Sequence, residues 1–222
     1  MIRLENIIKK YTINKNNTVT ALNNINLEFK EGQLVVLKGS SGSGKSTILS
    51  LIAALSKPTS GQVIVDNKQI SKLPDNFAAL YRRDNIGFIF QKYNLIPTLS
   101  VQENILLPLV PSNLDEKEVE EKLNLVMDKF QILHKKDAIV RNLSGGEQQR
   151  VAIARAHVNN PKIIIADEPT ANLDEKLSRD FIQILKELKE TNKTIIVATH
   201  DPLFFNLDFV DQTVCIDRGN LQ

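Results

Sequence analysis

Eight consecutive residues, Gly39-Ser40-Ser41-Gly42-Ser43-Gly44-Lys45-Ser46, match G-x-x-x-x-G-K-[ST] at every fixed place, and Thr47 follows. The chemistry this spacing suits is the holding of a phosphate chain. Glycines let a backbone close round an anion, and successive N–H groups with a helix N-terminus make a concave positive site. Lys45 adds a point charge for the outer phosphates, and the Ser46 hydroxyl can ligate Mg²⁺. Gly/Ser stretches are usually turns or flexible links. Here "QLVVL" reads as a strand before the motif and "KSTILSLIAAL" as an amphipathic helix after it, the setting a phosphate loop requires.

Acids come next. "KIIIADEP" places Asp167 and Glu168 directly after an apolar strand, and a parallel strand delivers its carboxy end to the ligand crevice. Asp167 can then help hold the metal, while Glu168 can polarise an attacking water. His200 closes "TIIVATH" and Gln91 closes "GFIFQ", so both reach the same sheet edge. An imidazole there can meet a terminal phosphate, and the Gln91 amide oxygen can meet Mg²⁺ or water. His134 and His157 lack such a setting and read as structural or surface residues.

"LSGGEQQR", Leu143 to Arg150, carries a second anion site. Ser144 followed three places on by Glu147 is a capping box opening a helix. Gly145 and Gly146 leave the first N–H groups unshielded. With no phosphate of its own, this end is expected to meet the terminal phosphate held by a second copy, head to tail.

These groups need rigid elements behind them. "QLVVLKG", "IGFIFQ", "KIIIADE", "TIIVATH" and "QTVCIDRG" are continuous apolar runs, which suit strands covered on both faces. Helical patterns separate them: one after the phosphate loop, expected to run until Pro58, one from Glu147 until Pro161, and "LSRDFIQILKELKET". The alternation predicts an α/β fold with a mainly parallel sheet. The first thirty or so residues instead alternate between Asn-rich turns, predicting antiparallel strands added at an edge. Residues 92–156 read as mostly helical, with the mixed-sign run Asp115–Lys122 on a solvated face. The expected layout is one domain over 1–222: a nucleotide-binding core with a β subdomain (about 1–91 and 157–222) and an inserted helical subdomain (about 92–156).

In these motifs and their order, the sequence resembles the ATP-binding subunits of ABC transporters over nearly its whole length. Gly39–Ser46 fills the phosphate loop, Gln91 the Q-loop, "LSGGE" the signature, "IIIADE" Walker B, "NLD" (Asn172–Asp174) the D-loop and His200 the switch. Tyr11 falls where the family carries an aromatic that stacks on adenine. The resemblance implies a P-loop NTPase binding ATP and Mg²⁺, with Glu168 as general base and His200 orienting the γ-phosphate. It implies as well that Ser144 and Gly146 contact ATP across a homodimer. It further implies an integral membrane permease as partner, with the chain peripheral on the inner face of the membrane. Within the family, "RRDNIGFIFQKYNLIPTLSVQENILLPL" and "LSGGEQQRVAIARAHVNNPKIIIADEPTANLD" look like the macrolide-export, lipoprotein-release and peptide-resistance subgroup (MacB-, LolD- and BceA-like). FtsE-like regulators of cell-wall hydrolases are close neighbours and form the alternative. Two places depart from the pattern: His157 stands where an aliphatic residue is usual, and no proline precedes "LSGG".

Composition excludes other classes. A net charge of +2 over 222 residues lacks the strongly basic face of a nucleic-acid binder. Cys215 is the single cysteine and reads as a buried strand residue in a reducing compartment. No export signal or membrane-length apolar stretch is evident, so the chain is expected in the cytoplasm. One cassette argues against two-cassette translation factors. About a hundred residues between Lys45 and Ser144 leave no room for the long coiled coil of a chromosome-type ATPase.

Overall fold

The apolar runs of the sequence become strands of one parallel sheet, and the amino-terminal residues build a second sheet across from it. A computed structural model describes residues 1–14, 17–171 and 173–222. Strands β1 (Ile2–Asn14) and β2 (Asn17–Phe29) pair antiparallel. After β3 (Leu34–Lys38) and α1 (Lys45–Ile52), strands β4 (Ser60–Val65) and β5 (Lys68–Gln69) complete the order β2-β1-β4-β5. Helix α2 (Asp75–Asn85) leads into β6 (Ile86–Ile89). Three helices follow: α3 (Val101–Leu106), α4 (Glu116–Lys129) and α5 (Gly145–His157). The chain closes with β7 (Ile163–Asp167), α6 (Glu175–Glu190), β8 (Thr194–Thr199), β9 (Gln212–Asp217) and β10 (Asn220–Leu221). The larger sheet runs β10-β9-β3-β8-β7-β6, parallel throughout except at β10. The first residues therefore form their own antiparallel sheet instead of extending the edge of the parallel one.

Burial on both faces explains the unbroken apolar runs, because side chains alternate between faces along a strand. Val35, Leu37, Ile163, Ile165, Ile196 and Ala198 turn to a core that includes Ile48, Leu49 and Ile52 of α1 and Ile2, Leu4 and Phe29 of the small sheet. Leu34, Val36, Ile164, Ala166, Ile195 and Val197 turn to the opposite core, with Val151 of α5 and Phe181 and Leu185 of α6. That second core continues without a break into Ile105 of α3 and Leu123, Val126 and Met127 of α4. Helix α5 thus belongs at once to the helical region and to the sheet.

Local chemistry sets the helix ends. The acidic start of α4 closes as a capping box, Glu118 N–H to Asp115 at 2.8 Å and Asp115 N–H to Glu118 at 3.1 Å. Helix α1 stops at Ile52, well before Pro58. Ala54 turns left-handed (φ 49°), and the Leu55 N–H reaches back to the Ser50 carbonyl at 2.9 Å, a Schellman-type closure that satisfies the last carbonyls without the proline. Cys215 lies on β9 but is half-buried, less enclosed than its run of neighbours implied, because β9 is covered only by the short β10 on its outer side.

Candidate functional site

Three parallel strands end together, and the turns that follow them carry the chemistry. After β3 the chain wraps from Gly39 to Gly44 and enters α1 at Lys45. Gly42 and Gly44 stand at φ 76° and 110°, and a Cβ on Gly44 would sit 2.7 Å from the Ala21 carbonyl of β2. Only glycine tolerates both demands. The Ser43 hydroxyl is buried with no partner among the described residues, which fits a loop whose polar groups await an anion. The C-terminal hairpin supports the loop from behind, Gly219 N–H donating to Ser43 O at 2.9 Å.

Lys45 is only 4% exposed. Its ammonium donates to the carbonyls of Gly39 (2.8 Å) and Ser40 (3.1 Å) and pairs with Glu168 at 3.2 Å. The other Glu168 oxygen lies 2.9 Å from His200 Nδ1 and 3.3 Å from the His200 N–H. Beside them, Ser46 Oγ donates to Asp167 Oδ1 at 2.9 Å. Burial raises the Asp167 pKa, with the Ser46 hydrogen bond opposing it and the Glu168 charge reinforcing it. Lys45, Ser46, Asp167, Glu168 and His200, drawn from three separate stretches of sequence, thus form one contiguous network.

The metal question is decided by donor type. Among the described residues no cluster of three or more His, Cys, Asp or Glu could cage an ion. One hydroxyl and one carboxylate beside a phosphate loop nevertheless fit Mg²⁺, which keeps waters and takes substrate phosphates as its remaining ligands.

The backbone around Glu168 is itself held. Glu168 stands at φ 44°, a left-handed conformation unusual for a residue with a side chain. Its N–H donates to Ala198 O at 2.8 Å, and Thr170 Oγ1 donates to Asp201 at 2.7 Å, tying the loop to the segment after His200. Thr170 and Asp201 carried no motif of their own in the sequence, though each sits two residues or fewer from a residue that did.

The other expected residues stand elsewhere in the chain. Gln91 follows β6 at the same end of the sheet and is exposed. Tyr11 stands exposed on β1 opposite Val19, with the Lys9 ammonium 4.9 Å above its ring. Its hairpin is the one whose Ala21 abuts Gly44. Ser144, Gly145, Gly146 and Glu147 open α5 with the capping box expected: Glu147 N–H to Ser144 Oγ, and Ser144 N–H to Glu147 Oε2 at 2.9 Å. That backbone hydrogen bond, followed by Lys135 at 3.1 Å and the Ser144 hydroxyl, pulls the Glu147 pKa down to about 2. Lys135 was not foreseen, because nothing in its own neighbourhood marks it. Asn172 of the "NLD" stretch lies outside the described residues, and Asp174 caps α6 by accepting from Leu177 N–H at 2.9 Å.

A family model described as ABC transporter matches residues 22–171 of this chain. The chain belongs to the ABC transporter family. MJ0796 of Methanocaldococcus jannaschii, described as an ABC transporter ATP-binding protein, is 45% identical over 206 residues, covering 90% of this chain and 87% of the relative. A dimeric, post-hydrolysis structure of that cassette, bound to ADP and Pi, matches with a TM-score of 0.91 at 40% identity, over 100% of this chain and 97% of the other. The methionine import ATP-binding protein MetN of Haemophilus influenzae is 41% identical over 222 residues, and this chain spans 64% of its length. CbiO1 of Clostridium perfringens, described as part of the ABC transporter complex cbiONQ, matches with a TM-score of 0.84 at 31% identity, over 100% of this chain and 86% of the other. The chain is therefore an ABC transporter ATP-binding subunit on the P-loop NTPase fold, in a family that hydrolyses ATP. Among the described residues no helix is long and apolar enough to cross a membrane.

Proposed function

We propose that this ABC cassette hydrolyses ATP as one half of a head-to-tail homodimer and that pairing drives a separate membrane permease. The observation that carries the proposal is the linked trio of Lys45, Glu168 and His200, with carboxylate contacts of 3.2 and 2.9 Å. Lys45 and the loop N–H groups bind the phosphates. A triphosphate offers Lys45 a denser counter-charge than one carboxylate, so binding frees Glu168 to take a proton from the attacking water. His200, touching Glu168 and largely exposed, is placed to orient the terminal phosphate. When bound at Ser46 and Asp167, with Gln91 in reach of the same edge, Mg²⁺ supplies neutralising charge on the phosphate oxygens. Tyr11 offers a face for adenine. The second copy supplies Ser144 to Glu147, whose helix end favours an anion.

A groove of about 280 Å³ between the sheet and the helical region suits a permease segment. Ile86, Phe88, Phe90, Pro108 and Pro111 line it, with Arg155 at its rim. Near Gln91, Leu95 packs on the helical core, Tyr93 and Leu99 are half-buried, and Ile96 is exposed. The duty we infer is export, lipoprotein release or antimicrobial-peptide resistance, on the strength of the sequence stretches around Gln91 and the signature. The test is phosphate release by the purified chain with Mg²⁺ and ATP. Turnover abolished by a chelator supports the proposal, and no ATP-dependent phosphate release overturns it.

A further inference from the structure

Gln149 is the fifth residue of α5 and is 4% exposed, flanked by the buried Val151, Ala152 and Ile153. Burying a primary amide is costly unless it is hydrogen-bonded. Gln149 Nε2 donates to the carbonyl of Pro169 at 3.2 Å. Pro169 directly follows Glu168, whose left-handed backbone (φ 44°) persists only because its surroundings hold it. Most of those ties come from the sheet side or the loop itself: Glu168 N–H to Ala198 O, Ala171 N–H to Glu168 O and Thr170 to Asp201. Of these ties, the Gln149 bond is the one that starts on the helix opening with Ser144 and Gly145. Gln149 stands five positions beyond Ser144, about 7.5 Å along the helix, short enough to move as one piece.

We propose that Gln149 is a positioning residue for hydrolysis: through the Pro169 carbonyl it makes the placement of Glu168 follow the placement of α5. Engagement of the Ser144 end by the partner's nucleotide then sets the general base in the same movement, so chemistry waits for pairing. This rests on the reading of Glu168 as base and of Ser144–Glu147 as the half-site presented to a second copy.

The test uses the full chain, with wild type measured in parallel. Gln149→Met keeps the volume and removes the donor. It should lower kcat about tenfold, the scale of one lost hydrogen bond, while KM for ATP stays within about twofold. Placed in a Glu168→Gln background, it should leave ATP-dependent dimerisation unchanged. Gln149→Glu is nearly isosteric and sets an acceptor against the carbonyl, so its kcat should recover toward wild type as pH falls and the carboxyl protonates. A wild-type kcat in folded Gln149→Met overturns the proposal, as does a parallel loss of kcat, KM and dimerisation, which marks a merely structural amide. If Gln149→Met does not fold, a Gln149→Glu pH profile identical to wild type overturns it instead. A wild-type chain that releases no phosphate sinks the underlying assignment of Glu168 and this proposal with it.

Discussion

Around the phosphate loop the chain encloses its own polar groups. Lys45 and Ser43 are 4% and 2% exposed, and the lysine is held by two carbonyls and a carboxylate of the same chain. At the start of α5 the groups stand open instead: Ser144 and Gly145 are exposed, and among the described residues the Ser144 hydroxyl bonds only to Glu147 of its own capping box. The glycines differ in the same way. Gly44 is demanded by its own fold, by a φ of 110° and the Ala21 carbonyl, whereas a Cβ on Gly145 would meet nothing within 4 Å. Gly44 is thus fixed by its own chain. Gly145 has no such demand from its own chain, and the proposed pairing with a second copy would account for it.

The sharpest way to break this comparison is to disable chemistry at the first end and ask whether the second still works. Glu168→Gln removes the base while sparing Lys45, Ser46 and the loop. Turnover should fall by about 10²–10⁴, yet ATP should still draw two chains together in light scattering. A variant that stays monomeric in saturating ATP contradicts the paired model, and one that hydrolyses at the wild-type rate contradicts the base.

Lys45→Ala should act earlier, on binding. Losing a charge-assisted contact to phosphate is worth about 10- to 100-fold in affinity, read by titration with a fluorescent ATP analogue. Unchanged affinity would remove Lys45 from the cradle. Gly145→Ala should do the opposite: no loss of folding stability, since nothing in the chain meets the new methyl, and unchanged ATP binding by the monomer. Dimerisation and turnover should fall severalfold as the methyl shields the first-turn N–H groups. If turnover is untouched, the exposed cap is not the partner's surface.

Motif residues were legible because each needs a fixed spacing or follows an apolar run: Gly39–Ser46, Asp167, Glu168 and His200 all meet at one sheet edge as their strand endings implied. What escaped notice lacked such a mark. Helix α2 fully buries only Ala78; its apolar set, Phe77, Ala78, Leu80 and Tyr81, spans little more than one turn, and Pro74, an acidic first turn and Arg82–Arg83 at its end complete its signature. The separate antiparallel sheet was read as an edge because its strand pattern says nothing of which face α1 covers. Gln149 was hidden by its place between Glu147 and Arg150, where one more polar residue looks like a solvated helix surface. Only the fold shows that it points at the loop beside Glu168.

The smallest predicted effect belongs to a region that serves neither end. His157 closes α5, twelve residues or about 18 Å along the helix from Gly145. It is buried, edge-on to Phe130, with Nε2 3.3 Å from the Lys129 ammonium and Nδ1 without a partner among the described residues. Burial first, then the charges of Lys129 and Lys193, lower its pKa from 6.5 to about 3. The folded chain therefore refuses a proton that the unfolded chain accepts, so stability falls as pH drops below 6.5 and continues falling toward 3. By pH 5 the loss approaches ~2 kcal/mol. His157→Leu should remove that slope, raising Tm relative to wild type at pH 5 while the two nearly coincide at pH 8, and should leave ATP turnover at neutral pH unchanged. Equal pH slopes in thermal melts would mean that the imidazole is not held neutral. A loss of turnover at neutral pH would mean that the far end of α5 also answers to the nucleotide, and the contrast between the two phosphate-facing ends would have to be extended along the whole helix.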